Sequence, residues 1–308
     1  MIRLGTRGSK LAMAQSQQVA DEVARVTGDA VELVEITTPG DRSMAPVTQL
    51  GVGVFVSALR EALEEDRIDV AVHSFKDLPT AQPDHLSIVA VPPRADARDA
   101  LIASGKTLID LPEGSRIGTG SPRRISQLLA LGRGFECVPI RGNIDTRMAR
   151  VGDDLDAVVL ASAGLIRVGR QGEISEFLDP LQMLPAPAQG ALAVECRKSD
   201  KTLSAILGKL NDRYSQTAVA AERGLLARLE AGCSAPVAAL ADVSEGEEPG
   251  DIDIYLRGAA IALDGSHTVK LSSTATVAAD DDVFQTASNV GRALAEELLA
   301  EGAAELLK

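Results

Sequence analysis

The chain has 308 residues, 45% apolar and 24% charged, a globular composition long enough for two or three domains. Aromatic residues make up only 2% and tryptophan is absent, so the cores must be aliphatic. A formal net charge of −13 argues against a general nucleic-acid binder and makes any local cluster of arginines informative. Three widely spaced cysteines, Cys137, Cys196 and Cys233, form neither a disulfide framework nor a zinc pattern, which points to a reduced setting. The opening “MIRLGTRGSK” has no apolar signal core and no apolar run reaches membrane-spanning length. The expectation is a soluble cytoplasmic protein with no bound metal.

In chain order, “IRLGT” reads as a strand, turns at Gly5–Ser9 and continues into an amphipathic helix. “AVELVEITT” is a strand, “FVSALREALEEDRI” a helix, and “DVAVHSF” and “LSIVAVPPR” are strands, the second closed by Pro92-Pro93. This alternation predicts a parallel or mixed sheet flanked by helices. A similar texture restarts near residue 100: “SRIGTGSPRRISQLLALG”, “FECVPIRGNIDTRMARV” and “LDAVVLASAGLIRVG” each run from strand through turn to helix. “RLGTRGSKLAMAQSQ” and “RIGTGSPRRISQLLA” share one plan, which supports two domains of related design. “PAPAQGALAVECR” reads as a crossover returning to a sheet, and “TAVAAERGLLARLEAG” as a helix. Beyond Cys233 two strands turn at Asp264-Gly265, and a long helix closes the chain, as in a small α+β domain. The acidic “SEGEEPGD” is a solvated loop.

In “GTGSPRR”, Ser121 is a good N-cap and Pro122 suits the first helical position. Arg123 and Arg124 then fall in the first turn, where the helix dipole disfavours cations and free N–H groups attract anions. Two cations there make sense if an anion lies between them; the competing reading is a pair of solvated arginines. Arg141 and Arg147 in “IRGNIDTR”, Arg167 in “ASAGLIRVG”, and Arg7 with Ser9 also follow strand ends. Open α/β sheets bind ligands beyond the carboxyl ends of their strands, so these arginines suit a ligand with several carboxylates or phosphates. In “HSFKDLP”, Asp77 reads either as a general acid/base or as a turn residue paired with Lys76. His73 fits a satisfied sheet histidine, and Cys137 and Cys196 fit buried fillers. Cys233, in a loop between Gly232 and Ser234, leaves a functional thiol and a buried one both open.

“TRGS” before a helix, “DVAVHSFKDLPT”, “GTGSPRR”, “RGNIDTR”, “PAPAQGALAVECR” and “ERGLLARLEAGCSAP”, in that order, resemble the porphobilinogen deaminases, also called hydroxymethylbilane synthases. The resemblance spans nearly the whole chain; only the segment from about residue 240 carries few diagnostic residues. It implies a dipyrromethane cofactor, built from two units of substrate and held by Cys233 through a thioether. On that cofactor four porphobilinogen molecules would add stepwise, each losing ammonia, before hydroxymethylbilane is hydrolysed off. The resemblance makes Asp77 the catalytic carboxylate, contacting pyrrole nitrogens and stabilising a cationic azafulvene-like species. Lys76, Thr119, Ser121, Arg123 and Arg124, with Asp77, would hold the cofactor, and Arg7, Ser9, Arg141, Arg147 and Arg167 the substrate. The implied fold is two periplasmic-binding-protein-like α/β domains with mixed sheets plus a small C-terminal α+β domain. Their expected bounds are 1–95 with 190–212, 96–189, and 213–308. A monomer without nucleic-acid or membrane partners is expected.

The chain departs from the family at Thr48, Val52 and Ser57, where lysines are common. It also departs at Gly120 and Pro122, which stand for Ser and Leu, and at Ala231, where Gly is frequent. Two other readings compete: a two-domain anion-binding protein without catalysis, and a cysteine hydrolase pairing Cys233 with His73 or His85.

Overall fold

The computed structural model describes residues 1–37, 56–229, 235–279 and 282–307. In chain order the first elements are β1 (Ile2–Thr6), α1 (Lys10–Thr27), β2 (Val31–Glu35), α2 (Ser57–Glu64), β3 (Val70–Ser74) and β4 (Leu86–Ala90). The middle of the chain forms β5 (Asp99–Ile102), β6 (Arg116–Gly118), α3 (Pro122–Ala130), β7 (Glu136–Val138), α4 (Ile144–Met148), β8 (Ala157–Ala161), α5 (Ser162–Arg167) and β9 (Glu176–Phe177). Then follow β10 (Leu192–Arg197), α6 (Lys201–Leu207), α7 (Arg213–Arg228), β11 (Val237–Glu245), β12 (Ile252–Ile261), β13 (Thr268–Val277), α8 (Val283–Ala300) and α9 (Ala303–Leu306).

Met1–Ala95 and Ala191–Gln216 form one compact unit; Asp96–Gly190 and Thr217–Lys308 form the other. The first is built on a mixed sheet in the order β2-β1-β3-β10-β4. β1 is parallel to β2 and β3, and β10 runs antiparallel to β3 and β4. Helix α1 starts where Ser9 Oγ accepts the Ala12 N–H and stops at Gly28, whose φ of 71° is the left-handed geometry glycine adopts without strain. Its stripe of Val19, Ala20 and Val23 packs with Leu4, Val70, Val72 and Val194 on one face of the sheet. Leu59, Ala62, Leu63 and Ile68 cover Ala71 on the other. Each fully buried leucine here contributes about 1.5–3 kcal/mol. β3 is closed on both faces, so it reads as a continuous apolar run rather than an alternation.

The second unit repeats this plan in the order β7-β6-β8-β5-β9. β6 is parallel to β7 and β8, and β5 is antiparallel to β8 and β9. β1 and β6, each second from the edge of its sheet, are the two stretches whose sequences matched, so the turn at Arg7–Ser9 and the turn at Thr119–Ser121 leave equivalent strand ends. A three-stranded antiparallel sheet, β11-β12-β13, completes the second unit. One face packs on α7 and α8 through Leu225, Ile254, Leu256, Leu294 and Leu298. The chain is thus α/β, with two mixed five-stranded sheets and a small C-terminal α+β part. That last part keeps its own sheet but is joined to the middle segment: Leu184 packs with Leu240, Ala259 and Ile261, and Gly265 lies against Leu129 and Ala130. Among the described residues, no helix is long and apolar enough to cross a membrane.

Candidate active site

In the first unit, β1 hands over to Arg7, which is half-buried, and to Ser9, whose hydroxyl serves the cap of α1. A Cβ on Gly8 would come within 2.2 Å of Glu35 Oε1, so the carboxylate of β2 lies against this turn. At the end of β3 a single 3₁₀ turn, Phe75–Asp77, decides what faces outward. Phe75 and Leu78 are 6% and 1% exposed and anchor the turn, which leaves Lys76 half-buried and Asp77 exposed. Among the described residues, the Asp77 carboxylate accepts no hydrogen bond and forms no ion pair, so the pairing with Lys76 considered from sequence is not formed. Ser74, just before the turn, exchanges hydrogen bonds with Gln15 of α1 at 2.9 and 3.2 Å.

His73 is the satisfied sheet histidine that its place in β3 suggested. Its Nε2 lies 2.9 Å from Glu195 Oε2, in a buried cluster completed by Arg60 Nη2 at 2.8 Å from Glu195 Oε1. Burial opposes the Glu195 charge, but the bonds from His73 and Arg60 prevail and hold its pKa below the ordinary value. His85 pairs with Glu64 on the surface. Neither histidine is set up as the base of a thiol hydrolase.

In the second unit, β6 ends at Thr119, fully buried, whose Oγ1 accepts the Ser121 N–H at 3.3 Å. Ser121 occupies the N-cap position of α3, yet its side chain makes no capping bond. Pro122 takes the first helical position as expected. Gly120 sits so close to the next strand end that a Cβ would lie 2.7 Å from the Ile140 carbonyl oxygen. The anion expected between Arg123 and Arg124 is the protein's own Asp99, on β5. Arg123 Nη2 donates to Asp99 Oδ2 at 2.7 Å, and Arg124 donates through Nε and Nη2 to Oδ1 at 3.0 and 2.8 Å. Gln189 Nε2 donates to the same Oδ1 at 2.8 Å. Both arginines are therefore buried rather than solvated, at 3% and 6% exposure. Burial alone would raise the Asp99 pKa; the two guanidiniums overturn that and hold it well below the carboxylate range. Two cations on one anion still leave the cluster with one positive charge in excess.

That excess extends outward. Burial lowers the Arg147 pKa, and repulsion from Arg124 and Arg141 lowers it further, so the Arg147 guanidinium is close enough to feel both of theirs. The Arg147 Nε donates to the Gly142 carbonyl at 2.8 Å. Arg141, half-buried, has no hydrogen bond or ion pair among the described residues. Arg167 donates to the Gly190 carbonyl at 2.7 Å, its Nε is buried with no partner among the described residues, and burial pulls its pKa to about 10. Guanidiniums are cationic throughout the neutral range, and Arg167 remains so even with its pKa at about 10. An anion beside them would relieve their mutual repulsion, and each charge-assisted hydrogen bond to it contributes about 1.5–3 kcal/mol. Asp99 and Gln189 were not singled out in the sequence. The one available signal for Asp99 was the apolar run Ala100–Ala103 directly after it, which forms β5. Cys233, and the family departures at Thr48, Val52 and Ala231, lie outside the described residues; Ser57 opens α2.

The family profile described as porphobilinogen deaminase, dipyromethane cofactor binding domain, matches residues 2–205, and that of the family's C-terminal domain matches residues 216–300. The porphobilinogen deaminase of Mycobacterium marinum is 54% identical over 312 residues, covering 100% of this chain and 97% of that one.

The chain belongs to the porphobilinogen deaminase family.

The porphobilinogen deaminase of Nocardia farcinica is likewise 54% identical, over 99% of this chain and 88% of that one. Among solved structures, an ABC transporter periplasmic substrate-binding protein from Coxiella burnetii aligns with a TM-score of 0.44 at 14% identity, over 69% of this chain and 93% of that one. The family is one of transferases, and its first domain is defined by a dipyrromethane cofactor.

Proposed function

We propose that this protein condenses four molecules of porphobilinogen, with release of ammonia, into the linear tetrapyrrole hydroxymethylbilane. The observation that carries this reading from the residues is the arginine group of the second unit. Arg147 is repelled by both Arg124 and Arg141, Arg141 lacks an internal partner among the described residues, and Asp99 answers only part of the charge. A ligand bearing several carboxylates suits that arrangement, and porphobilinogen carries an acetate and a propionate on each ring. The same donors fit a dipyrromethane cofactor attached at Cys233. Its carboxylates would be held by Arg124, Arg141 and Arg147, with the Arg123 N–H in the first turn of α3, where Pro122 has no N–H and Ser121 makes no side-chain capping bond, and with Lys76. When bound, the cofactor supplies the pyrrole on which the chain grows.

The chain's own residues then have distinct tasks. Arg7, Ser9 and Arg167 complete the binding of carboxylate arms. Arg123 acts through Asp99 and the Leu184 carbonyl and supports Arg124 from behind. Asp77 is presented by a rigid turn with its carboxylate free, so it accepts hydrogen bonds from pyrrole N–H groups. As ammonia leaves the aminomethyl group, positive charge develops on that ring, and a fixed carboxylate stabilises it; such preorganised groups contribute about 2.7–4 kcal/mol. The reading takes the protein as a cytoplasmic monomer without nucleic-acid or membrane partners, to which the net charge of −13 is well suited.

The test is intact-mass measurement after incubation with porphobilinogen, with peptide mapping of the Cys233 segment and an assay of ammonia. A dipyrromethane adduct on Cys233, absent from Cys233→Ser, with ammonia released in turnover, is the expected result. An unmodified Cys233 with no ammonia released would leave an anion-binding protein without catalysis.

A further inference from the structure

The crossover from the middle segment toward β10 contains an unusual turn. Gln189 N donates to the Ala186 carbonyl at 2.9 Å, which closes a turn over Pro187 and Ala188. Ala188 stands at the third position of that turn with φ of 62°, left-handed geometry that favours glycine, and it is fully buried. Pro187 suits the second position of such a turn, but Ala188 does not suit the third. Something must hold it.

The group that does so is Glu222 of α7. It is 0% exposed, and its Oε2 accepts the Ala188 N–H at 2.6 Å while Oε1 accepts the Ala241 N–H of β11 at 2.9 Å. One buried carboxylate thus pins the crossover turn to the C-terminal sheet. The two residues that follow Ala188 reach the arginines. Gln189 donates to Asp99, the anion shared by Arg123 and Arg124. The Gly190 carbonyl accepts from Arg167. The turn is therefore a hub for the anion-binding side of the second unit. Glu222 sits on the helix that ends at Arg228, shortly before Cys233 in the sequence.

We propose that Glu222 is a positioning residue: it holds Ala188 in its left-handed conformation and thereby sets Gln189, Asp99, Arg124 and Arg167 in the arrangement that receives the carboxylates of cofactor and substrate. This rests on the function proposed above. Glu222 touches neither ligand in this account. The effect proposed on the site passes through the turn, while the bond to Ala241 bears on stability, so a turn that needs no holding depends less on Glu222 for ligand binding.

The experiment is a two-residue cycle on the full chain, purified from cells that make no porphobilinogen. The variants are Glu222→Gln, Ala188→Gly and the double substitution. Glutamine keeps the size of the side chain but turns an N–H₂ toward one of the two backbone donors. Loading of the dipyrromethane on incubation with porphobilinogen is followed by intact mass, the KM for porphobilinogen is measured on whatever loads, and melting is recorded by circular dichroism. Glu222→Gln should slow loading and raise KM by about tenfold, the scale on which groups orienting a metal ligand act without touching the metal. Ala188→Gly alone should behave as wild type, because glycine adopts this φ unaided. The double variant should regain most of the loading rate and KM, even where its melting temperature stays low. Should Glu222→Gln fail to fold, Glu222→Asp with and without Ala188→Gly serves in its place. Unchanged loading and KM in the folded single variant would overturn the proposal, as would a double variant that loads no better than the single one. If the wild-type chain itself never loads, the proposed function fails instead, which is a separate outcome.

Discussion

Replacing Asp99 by asparagine isolates the buried charge cluster. Asp99 is 0% exposed and receives three hydrogen bonds from Arg123 and Arg124 between 2.7 and 3.0 Å, with a fourth from Gln189. Asparagine fills the same space but removes the charge that opposes two guanidiniums that are 3% and 6% exposed. It also turns an N–H₂ group toward one of the donors. Breaking a buried ion pair from one side costs about 3–5 kcal/mol, because the remaining charge is left uncompensated. In a unit of this size, 2–4 °C per kcal/mol puts the fall in melting temperature on the order of 10 °C. Salt should restore little of it, since the cluster is out of reach of solvent ions. The control is Glu22→Gln, which breaks the exposed Arg25–Glu22 pair at 2.7 Å and should cost no more than about 0.5 kcal/mol. The folded pKa of Asp99 is depressed, so its contribution is present above the unfolded carboxylate value and lost only in strong acid. The difference between wild type and Asp99→Asn should therefore be flat from pH 5 to 9. Calorimetry or circular dichroism measures it. A melting temperature within a few degrees of wild type, or a deficit that 0.5 M salt abolishes, would refute the assignment of Asp99 as a buried counter-ion.

Three further outcomes follow from the same geometry. Asp77→Asn should reduce turnover by about 10²–10³ and leave the melting temperature unchanged, because this carboxylate is exposed and has no partner among the described residues; steady-state kinetics with a melt on the same sample checks it. Arg141→Leu should weaken porphobilinogen binding by roughly tenfold to a hundredfold, the equivalent of about 1.5–3 kcal/mol, with no loss of stability, since it removes repulsion with Arg147; the KM and the melting temperature report the two parts. Asp69 is bonded by Arg3 and Arg197, which outweigh the opposing effect of burial and hold its pKa at about 2 against 3.8. Discounted for solvent screening of a partly exposed pair, this depressed value stabilises the fold by about 1 kcal/mol above the unfolded pKa, a contribution lost as pH falls toward 2. Asp69→Asn should accordingly lower stability at pH 7 and flatten the acid side of the stability curve, read by urea unfolding from pH 7 to pH 3; equal slopes in both proteins would contradict it.

What was legible in the sequence is what depends on neighbours in the chain. Pro122 opens α3, and the matching stretches around Gly5 and Gly118 are corresponding strands, each second from the edge, of two sheets with one topology. Motif order and spacing were enough to assign the family. β12 announces its environment as well: it alternates from Ile252 to Arg257, where one face is open, and turns continuously apolar from Gly258 to Ile261, where both are covered. The strand β5 and its Asp99 were not legible, because four residues carry no period and the partners of Asp99 lie 24 and 25 positions away. Only the tertiary structure shows that the cations of α3 are answered from inside and that the N-cap hydroxyl of Ser121 makes no capping bond. The same holds for Ala188, whose left-handed conformation is supported by Glu222, 34 positions on. Local propensity follows from local chemistry, whereas the partner of a buried charge is chosen by which strands the sheet brings together.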